Sequence, residues 1–512
     1  MLLHERQIED ILEGVVARVT AEIAAGNMAA PGGASAGTSP AATTGTGGAK
    51  AVTDGSCPAA GTTVPAAEAA EGTGIFDTVE AAVEASKKAA CECARLSLED
   101  RRRIIGALRN TVLNNLEMIS RLAVEETGMG RVGDKILKNR LAALKTPGIE
   151  ALTTDALSGD DGLTLTELAP YGVICSIIPS TNPTETVINN GIGMFAAGNS
   201  VVFNPHPGAK RVSTRMIELL SKTVEDNGGP RNVFAAVREP TIETATALMY
   251  HPDVRLLVVT GAEGVVNAAM KTGKKVIGAG PGNPPAVVDE TADIPKAAQD
   301  IVNGASMDNN IICTDEKVTV VVESVADELI REMEKAGGYL ASANQVRLLE
   351  STLYADPPPR QAHTPPIRRF IGRDAAVILS EIGVRDPGDP RLVLCDVPTD
   401  HPFAWSEMLM PVMPVVRVPD VDTAIRYAKD IEAGRRHTAS MHSKNIDKLS
   451  EMAYEMNCSI FVKNGPNYAG LGYGGEGHTS FTIASPTGDG LTNARSFTRL
   501  RRCTLVGAFR IV

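Results

Sequence analysis

Four short runs constrain this chain most, because each is apolar almost from end to end: Val173 to Ile178, Ser200 to Phe203, Leu256 to Thr260 and Val318 to Val322. A strand with one wet face alternates apolar and polar residues, whereas one covered on both faces does not. Between and around these runs lie segments with helical periodicity: Thr184 to Ala197, Lys210 to Asp226 and Glu263 to Lys271. This βαβ alternation predicts a mainly parallel sheet with helices on both faces. Helical patterns over Phe76 to Ala94 and Leu98 to Leu116 lead into it, and a second α/β series runs from Ala286 to about Ser459.

Ahead of this globular part, residues 24–74 are mostly Ala, Gly, Thr, Ser and Pro, without Leu, Ile or an aromatic residue. Such a tract cannot bury enough surface to offset its conformational entropy, and it reads as a flexible linker. Its reach is about 40 Å root-mean-square for roughly fifty residues. Residues 1–23 carry Ile8, Ile11, Leu12, Val15, Val19 and Ile23 mostly at three- and four-residue steps, an amphipathic helix on a tether. Its acidic residues and interrupted apolar pattern argue against a secretory or transit signal.

The whole chain has 512 residues, enough for two or three cores, and a net charge of −11 without a basic stripe, which argues against nucleic-acid binding. Nothing approaches the length of a membrane span. The eight cysteines are scattered at spacings that suggest no zinc site, so no metal is expected.

Cys313 is the strongest candidate for chemistry. It lies in NNIICTDEK, Asn309 to Lys317, after the helix-like Ala297 to Ser306 and just before Val318 to Val322. Such a junction can expose a sulfur and aim backbone N–H groups at whatever is bonded to it; a nucleophile there also calls for a lowered thiol pKa. Most free cysteines are inert core residues, and that reading stands beside the catalytic one. Three further segments follow apolar runs. Thr260-Gly261-Ala262-Glu263-Gly264 suits either a phosphate at a helix N-terminus or a plain turn. Asn204 to Lys210, NPHPGAK, falls where the adenosine end of a dinucleotide commonly binds. Pro179 to Thr184, PSTNPT, offers Asn182 as an amide donor or as a turn former before proline.

Taken in order, PSTNP, NPHP, TG, GAGPGNPP, the cysteine segment, SEMLMPVMPVV and PTGDGLTNARSFTRLRRC resemble the aldehyde dehydrogenase superfamily over residues 76–512. The similarity is greatest to its CoA-acylating branch, the propionaldehyde and acetaldehyde dehydrogenases of bacterial microcompartments. The resemblance implies a Rossmann-type cofactor domain at 75–285 with an oligomerisation hairpin near 150–170. A catalytic domain at 286–485 and a C-terminal oligomerisation segment at 486–512 follow. It implies NAD and coenzyme A as cofactor and co-substrate. Cys313 matches the nucleophile, and Asn182 the side-chain donor that shares an oxyanion with the Cys313 N–H, with Thr181 the alternative for that place. Glu407 matches the glutamate on the nicotinamide ribose, while Asn204, His206 and Gly261 fall in the cofactor cleft. Ala279 stands where hydrolytic relatives carry a glutamate base, and alanine cannot activate water. The acyl group is then left for a thiol, that of CoA.

The expected substrate is an aldehyde of two to four carbons, propionaldehyde ahead of acetaldehyde. Rival readings are a hydrolytic dehydrogenase, an acyl-phosphate reductase, and an inactive cargo or scaffold protein whose purpose lies in residues 2–23. The resemblance also implies a homodimer or homotetramer, built on Leu163 to Ala169 and Cys503 to Val512. It implies that residues 1–23 bind a shell protein and place the chain in a microcompartment lumen.

Overall fold

The computed structural model describes residues 74–510, so the amphipathic segment, nearly all of the linker and the last two residues lie outside the described residues. Two parallel sheets organise the rest. The first has six strands in the spatial order Ile75–Phe76, Phe234–Val237, Ser200–Asn204, Val173–Ile177, Val254–Thr260, Lys275–Ala279. Its inner strands are apolar throughout because alternate side chains enter two different cores. Ile174, Val201, Phe203 and Val258 pack on one face, and Cys175, Val202, Leu257 and Val259 on the other.

The second sheet has seven parallel strands, in the order Gly338–Leu340, Leu392–Val397, Val412–Val418, Val318–Val322, Pro285–Val288, Thr438–His442, Ile460–Lys463. The same two-sided logic applies: Val318 and Val320 face one core and Val321 the other. Each parallel strand returns through a helix, as the alternation predicts.

Local chemistry moves some boundaries. Ile75 and Phe76 form an edge strand against Ala236 and Val237, not the start of a helix. The helix begins at Val79, where the Thr78 hydroxyl accepts the Ala81 N–H at 3.2 Å. The helix expected to end at Leu116 runs from Leu98 to Thr127, because Ile119 and Ala123 continue its buried stripe. It stops at Gly128, whose φ of 67° suits glycine.

A third sheet stands apart. Asp155–Gly159 and Gly162–Pro170 form a hairpin, and Thr498–Val506 pairs antiparallel along the full second strand. The C-terminal strand therefore starts five residues before the expected Cys503 and ends ahead of Gly507, which turns at φ 69°.

Candidate active site

The candidate residues gather at two opposite kinds of strand end. Thr181 and Asn182 follow Val173–Ile177, Asn204 closes its own strand with His206 just beyond, and Gly261 follows Val254–Thr260. All of these are carboxyl ends of the first sheet. Chain order reverses between Val173–Ile177 and Val254–Thr260, the place where open parallel sheets form a ligand crevice.

Cys313, Glu407, Gly282 and His437 instead precede Val318–Val322, Val412–Val418, Pro285–Val288 and Thr438–His442. Those four strands are neighbours, so the four residues cluster at the amino edge of the second sheet. A Cβ added to Gly282 would lie 3.0 Å from both the Cys313 carbonyl oxygen and the His437 ring, which puts Gly282 against both residues. The Gly282 N–H donates to Glu407 Oε1 at 3.1 Å.

The loop that carries Cys313 is under conformational strain. Asp308, Asn309 and Asn310 are consecutive left-handed residues, with φ of 47°, 57° and 64°. Side chains hold them there. Asp308 accepts from Lys135 and Lys138 at 2.9 and 2.6 Å and from the Arg131 N–H at 2.9 Å. Asn309 donates to the Gly372 carbonyl, and Asn310 donates to the Ala305 and Glu316 carbonyls.

Buried Lys317 closes the loop from beneath. Its ammonium donates to the Asn310 carbonyl at 2.7 Å, to Asn310 Oδ1 at 2.8 Å and to the Ile312 carbonyl at 2.9 Å. In a trans peptide the C=O and N–H point opposite ways. With the Ile312 carbonyl turned down onto Lys317, the Cys313 N–H of the same peptide is turned away from it, against its own sulfur.

The thiol is half-buried, and its pKa is not lowered as a resting nucleophile would require. Burial, with the Glu407 and Asp315 carboxyls adding to it, pushes the thiol up to about 12 despite Lys317. Burial also raises Glu407 and lifts Asp315 to about 8, and it holds His437 down near 3, a neutral imidazole. His437 Nδ1 meets the Thr438 hydroxyl at 2.9 Å, while Nε2 has no hydrogen-bond partner. An apolar recess of about 10 Å³ lies beside the cysteine loop, walled by Leu141, Met307, Ile312, Tyr468, Leu471 and Phe481.

On the first-sheet side, Asn182 is the N-cap residue of helix Pro183–Ala196, but its side chain makes no capping bond. Its Oδ1 accepts from Lys138 at 2.7 Å, and its Nδ2 reaches the Thr181 hydroxyl at 3.3 Å. Asn204 is buried and its Oδ1 accepts the Thr244 hydroxyl at 2.8 Å, while His206 Nδ1 accepts the Gly208 N–H at 3.0 Å as a turn cap. Gly261 and Gly264 border open space, and Ala262 leaves the helix Glu263–Met270 without a side-chain cap. A glycine turn with free helix N–H groups fits a dinucleotide phosphate. Ala279 pairs with Thr260 at the same edge and brings no carboxyl group.

Sequence reasoning singled out residues that the structure places at these two strand edges and missed the buried groups that hold them: Lys135, Lys138, Asp308, Lys317, Gly282 and His437. The only sequence signal for Gly282 and Lys317 was membership of the GAGPGNPP and NNIICTDEK segments already singled out.

A loop-mounted, half-buried cysteine at the edge of one α/β sheet, in a chain that carries a second, dinucleotide-type parallel sheet, suits a thiol-dependent oxidoreductase. The aldehyde dehydrogenase family model matches residues 48–491, and the chain belongs to that family. It is 53% identical to the acetylating acetaldehyde dehydrogenase EutE of Salmonella typhimurium over 440 residues, covering 86% of this chain and 94% of that one. It is 47% identical to the CoA-propanoylating propanal dehydrogenase of the same organism, with coverage of 86% and 94%. A Rhodopseudomonas palustris propionaldehyde dehydrogenase, solved with bound CoA and an acylated cysteine, superposes with a TM-score of 0.83 at 50% identity, covering 86% of this chain and all of that one. A propionaldehyde dehydrogenase from the fucose utilisation microcompartment of Clostridium phytofermentans gives a TM-score of 0.83 at 44% identity, again over 86% and 100%.

Proposed function

We propose that this protein oxidises a short-chain aldehyde with NAD+ and CoA, giving acyl-CoA and NADH through a thioester on Cys313. The observation that carries this reading is the pairing of a loop-mounted cysteine with Ala279, a position that supplies no base for hydrolysis. The sulfur of Cys313 adds to the aldehyde carbon, and the carbonyl oxygen takes its charge between the Cys313 N–H and the Asn182 amide. NAD+, when bound, supplies the hydride acceptor, and Gly261, Asn204, Glu407 and the uncapped helix at Glu263 are the groups that would hold it. His206 borders that cleft while capping its own turn.

Glu407 raises the thiol pKa, so engagement of its carboxylate by a ribose hydroxyl disperses that charge and favours the thiolate. The acyl thioester on Cys313 is then exchanged for the thioester of CoA, an almost balanced step. The relatives divide between acetaldehyde and propanal, which supports an aldehyde of two or three carbons as the substrate. Full-length enzyme supplied with NAD+ and propionaldehyde but no CoA is expected to stop after one NADH per active site. Sustained formation of propionate without thiol would refute the CoA-acylating reading.

The same reading divides the body into a cofactor part, 75–285, and a cysteine part, 286–485. Exposed Leu157, Leu500, Leu505 and Val506 on the three-stranded sheet support a homodimer or homotetramer joined there. Residues 1–23 act as an encapsulation helix that binds a shell protein and brings the enzyme into a microcompartment lumen. The support is the apolar stripe of that segment, the tether behind it and the microcompartment relative. Deleting residues 1–23 is expected to leave kcat/KM in solution unchanged and to remove the enzyme from purified compartments.

A further inference from the structure

A buried lysine outside the reacting groups joins the two halves of the site. Lys138 lies on helix Val132–Lys145 with 2% of its surface exposed, and it borders the recess beside Ile312. Its ammonium has three hydrogens and three oxygen neighbours: Asp308 Oδ2 at 2.6 Å, Asn182 Oδ1 at 2.7 Å and Glu185 Oε1 at 3.4 Å. Burial opposes its charge, but Asp308 and Glu185 outweigh that and hold it protonated.

An ammonium can only donate, so the Asn182 atom against it must be oxygen. That settles which way the amide faces. The NH2 group is forced to the opposite side, where the long contact to Thr181 uses one N–H and leaves the other free. A positive charge on the oxygen also draws electron density from the amide nitrogen and makes that free N–H a stronger donor. Lys317 stands in the same relation to the other donor, because it grips the Ile312 carbonyl of the peptide whose N–H belongs to Cys313.

Resting on the reading of Asn182 as an oxyanion donor, we propose that Lys138 is a positioning residue that orients and polarises the Asn182 amide. Through Asp308 it also keeps that amide in register with the loop bearing Cys313. Lys135 provides an internal contrast. It pairs with the same Asp308 oxygen at 2.9 Å and is equally buried, and its ammonium makes no hydrogen bond to Asn182.

The test is a double-mutant cycle on the full-length enzyme with propionaldehyde, NAD+ and CoA, with Tm recorded for each variant. Lys138→Met is expected to lower kcat by about a hundred- to a thousandfold with the KM for NAD+ unchanged, the scale of one lost oxyanion donor. Asn182→Ala should lose a similar factor, and adding Lys138→Met to it should cost little more. Lys135→Met should lower Tm as much as Lys138→Met, and whatever it costs in kcat should persist in the Asn182→Ala background, because its ammonium makes no hydrogen bond to Asn182. If Asn182→Ala keeps full kcat, the oxyanion reading itself fails. If Asn182→Ala loses activity but Lys138→Met costs as much in that background as alone, only the positioning role fails. Should Lys138→Met not fold, Lys138→Leu, which likewise has no donor for Asn182 Oδ1, carries the same cycle. If neither variant folds, Lys138 is a structural residue and the proposal is overturned.

Discussion

The two sheets present the site with opposite edges, and the loops at those edges are built differently. At the carboxyl edge of the first sheet, the loops through Thr181, His206 and Gly261 contain no residue with positive φ, and helices start directly from them. At the amino edge of the second sheet, three of the four loops contain left-handed non-glycine residues: Asp308 to Asn310, then Leu409, then Ala433 and Arg436. In the proposed reading the first edge binds with what every strand-to-helix turn provides, free N–H groups and a helix dipole. The second must place one sulfur and one peptide N–H in a set direction, and it does so by strain held in place by buried side chains. Binding here is cheap in structure, whereas positioning is costly.

The largest effect that tests this division is at Cys313. Cys313→Ala should abolish NADH formation while NAD+ still binds, measured by nucleotide fluorescence titration. If binding were lost as well, the two edges would not be separable. Next comes the first edge alone. Gly261→Asp puts a carboxylate in the open space beside the helix N-terminus, and the KM for NAD+ should rise by about tenfold or more with kcat much less affected. An equal fall in kcat would show that the turn also positions the reacting groups.

The smallest effect concerns the electrostatics of the second edge. Burial and then the Glu407 charge hold the Cys313 thiol near 12, so removing a negative neighbour must lower that value and increase the thiolate at any fixed pH below it. Glu407→Gln, without cofactor, should make Cys313 alkylation by iodoacetamide at pH 8 about two- to tenfold faster. A slower reaction would mean that Glu407 assists ionisation instead of opposing it.

The contrast also explains what could be read in advance. Strands such as Val318–Val322, and the residues that follow or precede them, were legible because two-sided burial leaves an unbroken apolar run. Cys313, Asn182 and Gly261 stood out because their residue types suit a task at a strand end. Lys135 and Lys138 did not, because a charged residue on an amphipathic helix reads as its wet face. On Val132–Lys145 the buried face instead holds Lys135, Lys138 and Asn139 beside Ala142 and Ala143. Only the meeting of that helix with Asp308, some 170 residues later, and with Glu185 neutralises it. The high thiol pKa was hidden as well, since burial, which mainly raises it, and the Glu407 carboxyl that adds to it come from segments far along the chain.

The three-stranded sheet has a consequence for how the molecule matures. The Thr164 and Thr504 hydroxyls that meet at 3.0 Å across it are 340 positions apart. Closing so long a loop gains nothing until both α/β bodies have brought the ends near each other, and so this pairing forms late. The face that exposes Leu500, Leu505 and Val506 does not exist before that step. If copies associate through this sheet as proposed, a half-folded chain lacks the surface for it, and assembly becomes a quality check that only a finished body can pass.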